Sequence, residues 1–528
     1  MSQIKIARTD NAKRSIKFGL ILKMISLVIP FISRMLMIRL IGAEYLGLGS
    51  LFTSILQVLN LAELGFATAV VYFMYDPIAH GDNEELGALL LYYRKIYRTI
   101  GLIILTSGIV FMPFLPKLIN GTPPSGVNLY AIYLIFLANT VVTYFWMAYR
   151  GSLFYAHQRN DVLDKVNIAV FLGEQSLQVL SLVLTRNIYI FYALRFVATL
   201  INNSIIGYYS RKYYPNVLKK GSLSIQKKKE IITKVKGLMV NKISLVSRNA
   251  FDSIFVSAFI GLIDTAKYNN YYYVITTLTG LTAILRSAIA AGVGNSLITE
   301  TQEKNHSDLR KMDFLYMWII GWFTACMICL YQPFTRLVFG ENMLYSKEIM
   351  IAFSSYFYVM RMGDIRYVYS EAKGLWWENR YRSIGEAVAN IILNYVLGYF
   401  FGVMGIILAT LVSIIVFNYI WSTLITYKYC FPDISVKGYY LIHCIYTFTT
   451  CIVCAICFEI CSIMPIMNPI ISLMFNGIIV FLFPNILFFL MFRWTKIYRE
   501  SFSWIIDKFR FPKSVKQILL GKNSTFSN

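Results

Sequence analysis

GLILKMISLV at 19–28 and GLMVNKISLV at 237–246 align without a gap. After a five-residue slip the likeness returns, with Ala43-Glu-Tyr45 matching Ala266-Lys-Tyr268 at the start of the next apolar run. An internal repeat of this length makes two related halves the first expectation for the fold. Apolar runs fall at 18–40, 46–72, 96–118, 129–149, 166–184 and 188–209. After a polar break they continue at 238–262, 268–297, 314–332, 348–369, 383–401, 404–427, 438–460 and 469–492. Each is long enough for a membrane helix, which needs about 20 apolar residues. Two of them, 238–262 and 348–369, carry charges in mid-run, and only Gly402 separates 383–401 from 404–427.

Composition agrees. The 528 residues are 57% hydrophobic and 15% charged, with a mean hydropathy of +0.57; soluble domains are about 45–50% apolar and about 25% charged. Fourteen spans would take up roughly 310 residues, which leaves no room for a large extramembrane catalytic domain. The expected fold is therefore all-α and polytopic, with about 14 transmembrane helices in two six-helix pseudo-symmetric lobes and two further C-terminal helices. The divisions are an N-terminal lobe at 1–209, a basic linker at 210–237, a C-terminal lobe at 238–430, a helix pair at 431–492 and a basic tail at 493–528. Six helices separate the two starts of the repeat, so the copies run in the same direction across the membrane. Transporters built this way bind substrate between their lobes.

The net charge of +23 comes from 50 Lys and Arg against 27 Asp and Glu. Sorted by alternate loops, 35 of these cations fall on the side that holds both termini and 4 on the other. By the positive-inside rule both termini are cytoplasmic, and the basic runs suit an anionic leaflet rather than nucleic acid. Arg34 and Arg39 follow the first apolar run and no small-residue cleavage site appears, so that run is read as an uncleaved span.

Ionisable groups at membrane depth are costly and point to function. Arg34, Arg195 and Arg286 have no acid nearby in sequence, whereas Arg248 and Asp252 stand at i, i+4 and Arg361 and Asp364 at i, i+3. Such spacings allow a structural pair or a functional one. Converging from both halves, Arg34, Arg195, Arg248 and Arg286 would form a cationic cavity, and guanidinium groups match phosphate oxygens bidentately. The alternative is cross-helix pairing with Glu63 or Glu174. Excess arginine asks for an anion, whereas an exporter of lipophilic cations needs carboxylates and aromatics.

Other signals carry no chemistry. Cys451, Cys454, Cys457 and Cys461 have iron–sulfur spacing, but they lie inside an apolar run and share one helical face, as packing residues do. Cys326 and Cys329 are likewise inside a run. The four histidines do not cluster at metal spacing, and the chain has no phosphate-binding glycine loop, H-E-x-x-H or G-x-S-x-G. No metal or cofactor is expected, and transport would draw on a proton or cation gradient or the membrane potential.

Three stretches resemble the Wzx-type oligosaccharide flippases of polysaccharide biosynthesis, within the multidrug/oligosaccharidyl-lipid/polysaccharide exporter superfamily. They are RMLMIRLIGAEYLGLGSLF at 34–52 with LAELGF at 61–66; AHQRN at 156–160; and GLWWENRY at 374–381, continued by EAVAN at 386–390 and GVMGIILAT at 402–410. The second departs from the family, which often has an acid where this chain has His157. Spans thirteen and fourteen exceed the commoner twelve, as they do in the lipid II flippase branch.

The resemblance implies a non-enzymatic flippase in the bacterial inner membrane. It would move an undecaprenyl-diphosphate-linked oligosaccharide outward by alternating access, for capsule, O-antigen or exopolysaccharide assembly. Partners would be membrane lipids, with a polysaccharide polymerase and glycosyltransferases as further candidates and no nucleic acid. Arg34, Arg248, Arg286 and Arg195 would hold the diphosphate; Glu63, Glu174 and Asp252 would serve coupling or ion pairing. Trp376, Trp377, Glu378 and Arg380 would make a cytoplasmic gate, or else an interfacial anchor. The rivals are a multidrug exporter of the same superfamily and a membrane polysaccharide polymerase or ligase.

Overall fold

The computed structural model describes residues 2–63, 65–217, 221–463 and 468–508, and among them the chain forms helices and no strand. In order these are α1 (Ser2–Leu40), α2 (Ala43–Leu59), α3 (Phe66–His80), α4 (Asn83–Phe111), α5 (Leu129–Phe145) and α6 (Gly151–Ala156). Next come α7 (Asn160–Thr185), α8 (Ile188–Tyr213), α9 (Ile225–Phe259), α10 (Leu262–Thr299), α11 (Gln302–Phe339) and α12 (Lys347–Met362). The last are α13 (Asp364–Ala372), α14 (Arg380–Ser413), α15 (Ser422–Cys430), α16 (Lys437–Ile463), α17 (Pro469–Phe492) and α18 (Lys496–Lys508). Local chemistry sets several starts: Asn187 accepts from the backbone of Tyr189 and Ile190 at the head of α8, and Asn468 does the same ahead of Pro469.

The architecture is all-α and polytopic. Nine helical stretches among the described residues are long and apolar enough to cross a membrane, and the difference from fourteen apolar runs has physical causes. Arg380–Cys430 passes as one stretch, yet at Gly402 the backbone takes φ 56, ψ −135, outside any helix. A Cβ on Gly405 would collide with the Leu397 carbonyl, so the chain doubles back there and two runs share one continuous element. The run 129–149 is bent between α5 and the short helices after it, by 46°.

The run 46–72, read from sequence as one span, is broken. A 3-10 turn occupies Asn60–Glu63 and Gly65 has φ 95, a conformation glycine adopts without strain. The run 348–369 is likewise split between α12 and α13 at Gly363. The run 238–262 falls mostly within α9, whose charges dilute its hydropathy, and its last residue opens α10. Both copies of the repeat are helical, one in α1 and one in α9, and the side chains at 240–245 lie outside the described residues.

Packing divides the chain into two units: Met1–Asn270 with Asn390–Ile406, and Tyr271–Ala389 with Ile407–Asn528. In the first, α1 packs on α7, α7 and α5 on α8, and α2 on α9. A Cβ on Gly47 would strike the Leu262 carbonyl, and one on Gly49 the Tyr192 hydroxyl. Small residues let helices approach closely where lipid supplies no hydrophobic drive for association.

The second unit is built around α11, which contacts α12, α13, α16, α17 and α18. Trp318 donates to Asn485 Oδ1 at 2.8 Å and Trp322 to the Val480 carbonyl at 2.8 Å. Helix α18 falls in the segment expected to be a basic tail. It is amphipathic and docked, with Tyr498 1% exposed and Tyr498 and Phe502 against Trp318; residues 509–528 lie outside the described residues. Between α14 and α15 the chain runs as a π-helix, Ile414–Trp421. Arg366, fully buried, donates to the Asn418 carbonyl at 2.9 Å, the Tyr419 carbonyl at 2.7 Å and the Thr423 hydroxyl. Its guanidinium supplies donors that the altered helical pitch needs. The eight cysteines are free thiols on helices, with Cys454 and Cys457 buried and Cys451 exposed on α16.

Candidate functional site

Arg34, on the membrane part of α1, donates through Nη1 to Asn270 Oδ1 at 3.0 Å. The preceding residue, Ser33, donates to Gln175 Oε1 at 2.5 Å, and Gln175 in turn donates to Gln178 at 3.0 Å. One turn of helix thus ties α1 to α7 and to the start of α10. Tyr192 on α8 feels the charge of both Arg34 and Arg195, and Glu174 on α7 feels that of Arg195. Three of the expected residues, Arg34, Arg195 and Glu174, therefore share one polar neighbourhood within the first unit.

The same seam continues into α9. Asn269 donates to Ser253 at 2.8 Å, and Tyr268 donates to Asp252 Oδ2 at 2.9 Å. Asn394, from the part of α14 that belongs to this unit, donates to the other carboxylate oxygen at 2.6 Å. Asp252 and Arg248 are 1% and 2% exposed, one helical turn apart. Counting charges singles out these two but misses Tyr268, Asn270 and Asn394, neutral residues that no such count flags.

Glu63 sits at the break between α2 and α3. It accepts from Tyr97 on α4 at 2.6 Å and from Tyr144 on α5 at 2.5 Å, while Tyr144 also reaches Asn60 at 3.2 Å. The break itself presents this carboxylate to two helices at once, and two phenols donate to it.

Arg286 belongs to the second unit. Its guanidinium lies 5.9 Å from the centre of the Tyr367 ring, and its charge acts on Glu371, an acid far away in sequence. Two ion pairs of this unit include acids within the apolar runs: Arg361 with Asp364 at 3.1 Å, where Tyr316 adds a 2.6 Å hydrogen bond, and Arg382 with Glu386 at 2.8 Å. The first is the i, i+3 pair expected from sequence. The second escapes a hydropathy reading, which ends the loop at Arg382 and starts the span one residue later, whereas α14 begins at Arg380.

Trp376, Trp377 and Glu378 lie in the turn between α13 and α14, and Arg380 opens α14. Gly374 starts that turn with φ 74, and buried Asn379 fastens it by donating to Ser370 and to the Leu375 carbonyl. Arg380 stacks 4.2 Å from the centre of Trp377 and 4.3 Å from that of Tyr381. Both tryptophans are exposed. Among the described residues no group of three or more metal-ligating side chains occurs.

No curated protein matches the chain. Among solved structures, the lipid II flippase MurJ in an inward closed conformation matches with a TM-score of 0.59 and 14% identity, over 89% of this chain and 98% of that one. An inward-facing multidrug resistance MATE family transporter of the MOP superfamily matches with a TM-score of 0.57 and 14% identity, over 78% and 98%. At these identities the likeness is one of fold. Residues 13–290, more than half of the chain, match the model of the polysaccharide biosynthesis protein family, and the chain belongs to that family.

Proposed function

We propose that the protein is a flippase that moves an undecaprenyl-diphosphate-linked oligosaccharide from the cytoplasmic to the outer leaflet of a bacterial inner membrane. The observation that carries this is the polar seam of the first unit, where Arg34, Arg195 and Arg248 lie with amide, hydroxyl and carboxylate groups among apolar helices. Moving a diphosphate through hydrocarbon is prohibitive without compensating charge. Guanidinium groups in a neutral hydrogen-bonding frame supply that charge and keep geometric preference for phosphate oxygens. Arg34, Arg195 and Arg248 hold the diphosphate, and Arg286 in the second unit serves the same cargo, while the polyprenyl tail stays in lipid. Glu63, Glu174 and Asp252 serve coupling to a proton or cation gradient. The exposed tryptophans at 376 and 377, with Glu378 and Arg380, work at the cytoplasmic interface, with both termini on that side.

The test is replacement of each arginine by alanine, with surface polysaccharide and the leaflet distribution of the lipid-linked intermediate as readouts. Arg34→Ala should lower export at least about tenfold, the equivalent of about 1.4 kcal/mol, with the intermediate accumulating on the cytoplasmic side. Full export from all four variants at normal expression would remove the diphosphate role. Purified protein that binds an organic cation and no polyprenyl-diphosphate glycan would favour a multidrug exporter instead.

A further inference from the structure

Asp313 on α11 and His443 on α16 are 3% and 4% exposed, and neither belongs to the polar seam or to the repeat. His443 Nε2 lies 3.5 Å from Asp313 Oδ2, an ion-pair distance that is longer than a normal N–H···O hydrogen bond. Both carboxylate oxygens of Asp313 and both ring nitrogens of His443 are buried without a hydrogen-bond partner among the described residues, and so are the hydroxyls of Tyr419 and Tyr439. The Tyr439 ring lies 4.1 Å from the imidazole and the Tyr419 ring 5.7 Å. Asp313, His443 and Tyr439 open onto one cavity of about 60 Å³ that reaches Ser435 and Gly438 at the head of α16.

An orphaned buried polar atom costs about 1–3 kcal/mol, and a charged one more. Five of them belong to residues that line one small cavity, a set that a structure retains only if something satisfies it. The cavity has room for several waters by the measure of one probe sphere per water. We propose that Asp313 and His443 form a water-bridged proton-binding site in the second unit, through which protonation sets the grip of α16 on α11. Its role in transport rests on the flippase reading; its existence does not.

A proton rather than a metal or alkali cation is the ligand for two reasons. The ligand set is one carboxylate and one imidazole, fewer protein ligands than the three or four of a zinc site. Positive charge is also already present, since the charge of Arg366 acts on Asp313 and Arg310 lines the cavity. The titratable and charged groups that face the pair are His306 and Arg310 from α11, Arg366 and Tyr369 from α13, and Tyr419 from the π-helical stretch. Tyr427 from α15 and Tyr439 and Tyr446 from α16 complete them. His306 is engaged with the Tyr427 hydroxyl at 3.0 Å, which leaves His443 to take the proton. In one state an imidazolium faces the carboxylate and α16 is held. In the other His443 is neutral, Asp313 is balanced by Arg366 through the waters, and the hold loosens.

The experiment is an imidazole-labelled NMR titration of the full chain in lipid nanodiscs from about pH 5 to 9, the range that histidine covers. The His443 signal is assigned by its loss in His443→Gln. It should titrate, and its midpoint should fall by about one unit or more in Asp313→Asn, because an opposite charge is removed. A signal that stays flat across this range overturns the proposal, and that outcome is readable without Asp313→Asn should that variant not fold. An unshifted midpoint in a folded Asp313→Asn overturns it as well. In proteoliposomes carrying the lipid-linked glycan, His443→Gln should flatten the dependence of flipping on pH; unchanged dependence removes the transport role. A titrating His443 in a protein that flips no glycan would sink the flippase reading and leave the site standing.

Discussion

Glu63 in the first unit and Glu386 in the second are both carboxylates set among apolar helices, and they are held in opposite ways. Glu386 meets Arg382 one turn away at 2.8 Å, the two side chains 2% and 5% exposed. Glu63 meets two tyrosine hydroxyls from α4 and α5. An arginine partner neutralises the charge permanently, since a guanidinium does not give up its proton in a protein. Phenols orient a carboxylate and can serve it whether it is charged or protonated. The difference separates an acid held by a fixed positive charge from one held by neutral donors, and the coupling role proposed for Glu63 can be tested against Glu386 as the ion-paired reference.

The largest effect that tests this contrast is on stability. Arg382→Ala strands a buried carboxylate and should cost about 3–5 kcal/mol, whereas replacing the pair together by Met and Leu should come out near neutral. Denaturant unfolding in detergent reads both. A single variant as stable as the double one would mean that Glu386 is not held by its arginine, and the contrast with Glu63 would collapse.

At Glu63 the expected losses are smaller. Tyr97→Phe or Tyr144→Phe removes one donor and should cost about 1–3 kcal/mol, the range for leaving a buried acceptor short of a partner. The two phenols donate to different oxygens of Glu63, so Glu63→Gln keeps an acceptor for one and turns an amide N–H toward the hydroxyl oxygen of the other; stability should change by no more than in either tyrosine variant. Glycan flipping should nevertheless lose its dependence on the imposed ion gradient. A Glu63→Gln protein with full gradient-dependent flipping would place coupling elsewhere, with the Asp313–His443 pair the first alternative.

What is legible in the amino-acid sequence follows the same division. Hydropathy finds the helical runs, and the doubling back at Gly402 falls where only one glycine separates two of them. The Arg361–Asp364 pair is legible because its partners lie within one turn. The break between α2 and α3 is not, because hydropathy measures transfer to lipid and carries no information about a positive φ at Gly65. The tyrosines around Glu63, the asparagines beside Arg34 and Asp252, and the acid facing Arg286 come from helices far away in sequence, so no spacing announces them. Helix α18 reads as tail because its charges dominate the count, although Tyr498 and Phe502 mark a packed face. Arg366 is visible as an intramembrane charge, but its partners are backbone carbonyls released by the π-helical stretch, which no composition reveals.

The smallest test lies outside the spans, in the turn that holds His157. Its ring stacks on Tyr214 with centroids 4.2 Å apart, and its Nδ1 lies 2.8 Å from the Leu153 carbonyl. Burial there pushes the imidazole below the ordinary histidine value, against the carbonyl's opposite pull. Four residues on, Asp161 is held by Arg159 and Lys165, so one turn contains both modes of the contrast: an ion pair and a titratable group with neutral contacts. A depressed folded value means that the neutral ring is the one the fold accommodates. Its contribution is complete above the unfolded value, about 6.5, and is lost as pH falls through the lower folded value. His157→Gln should therefore remove a small decline of stability on the acid side of neutrality and change nothing at pH 8. Identical acid-side unfolding profiles for the two proteins would show that contact with a phenol ring and a carbonyl does not suffice to bias protonation in this turn.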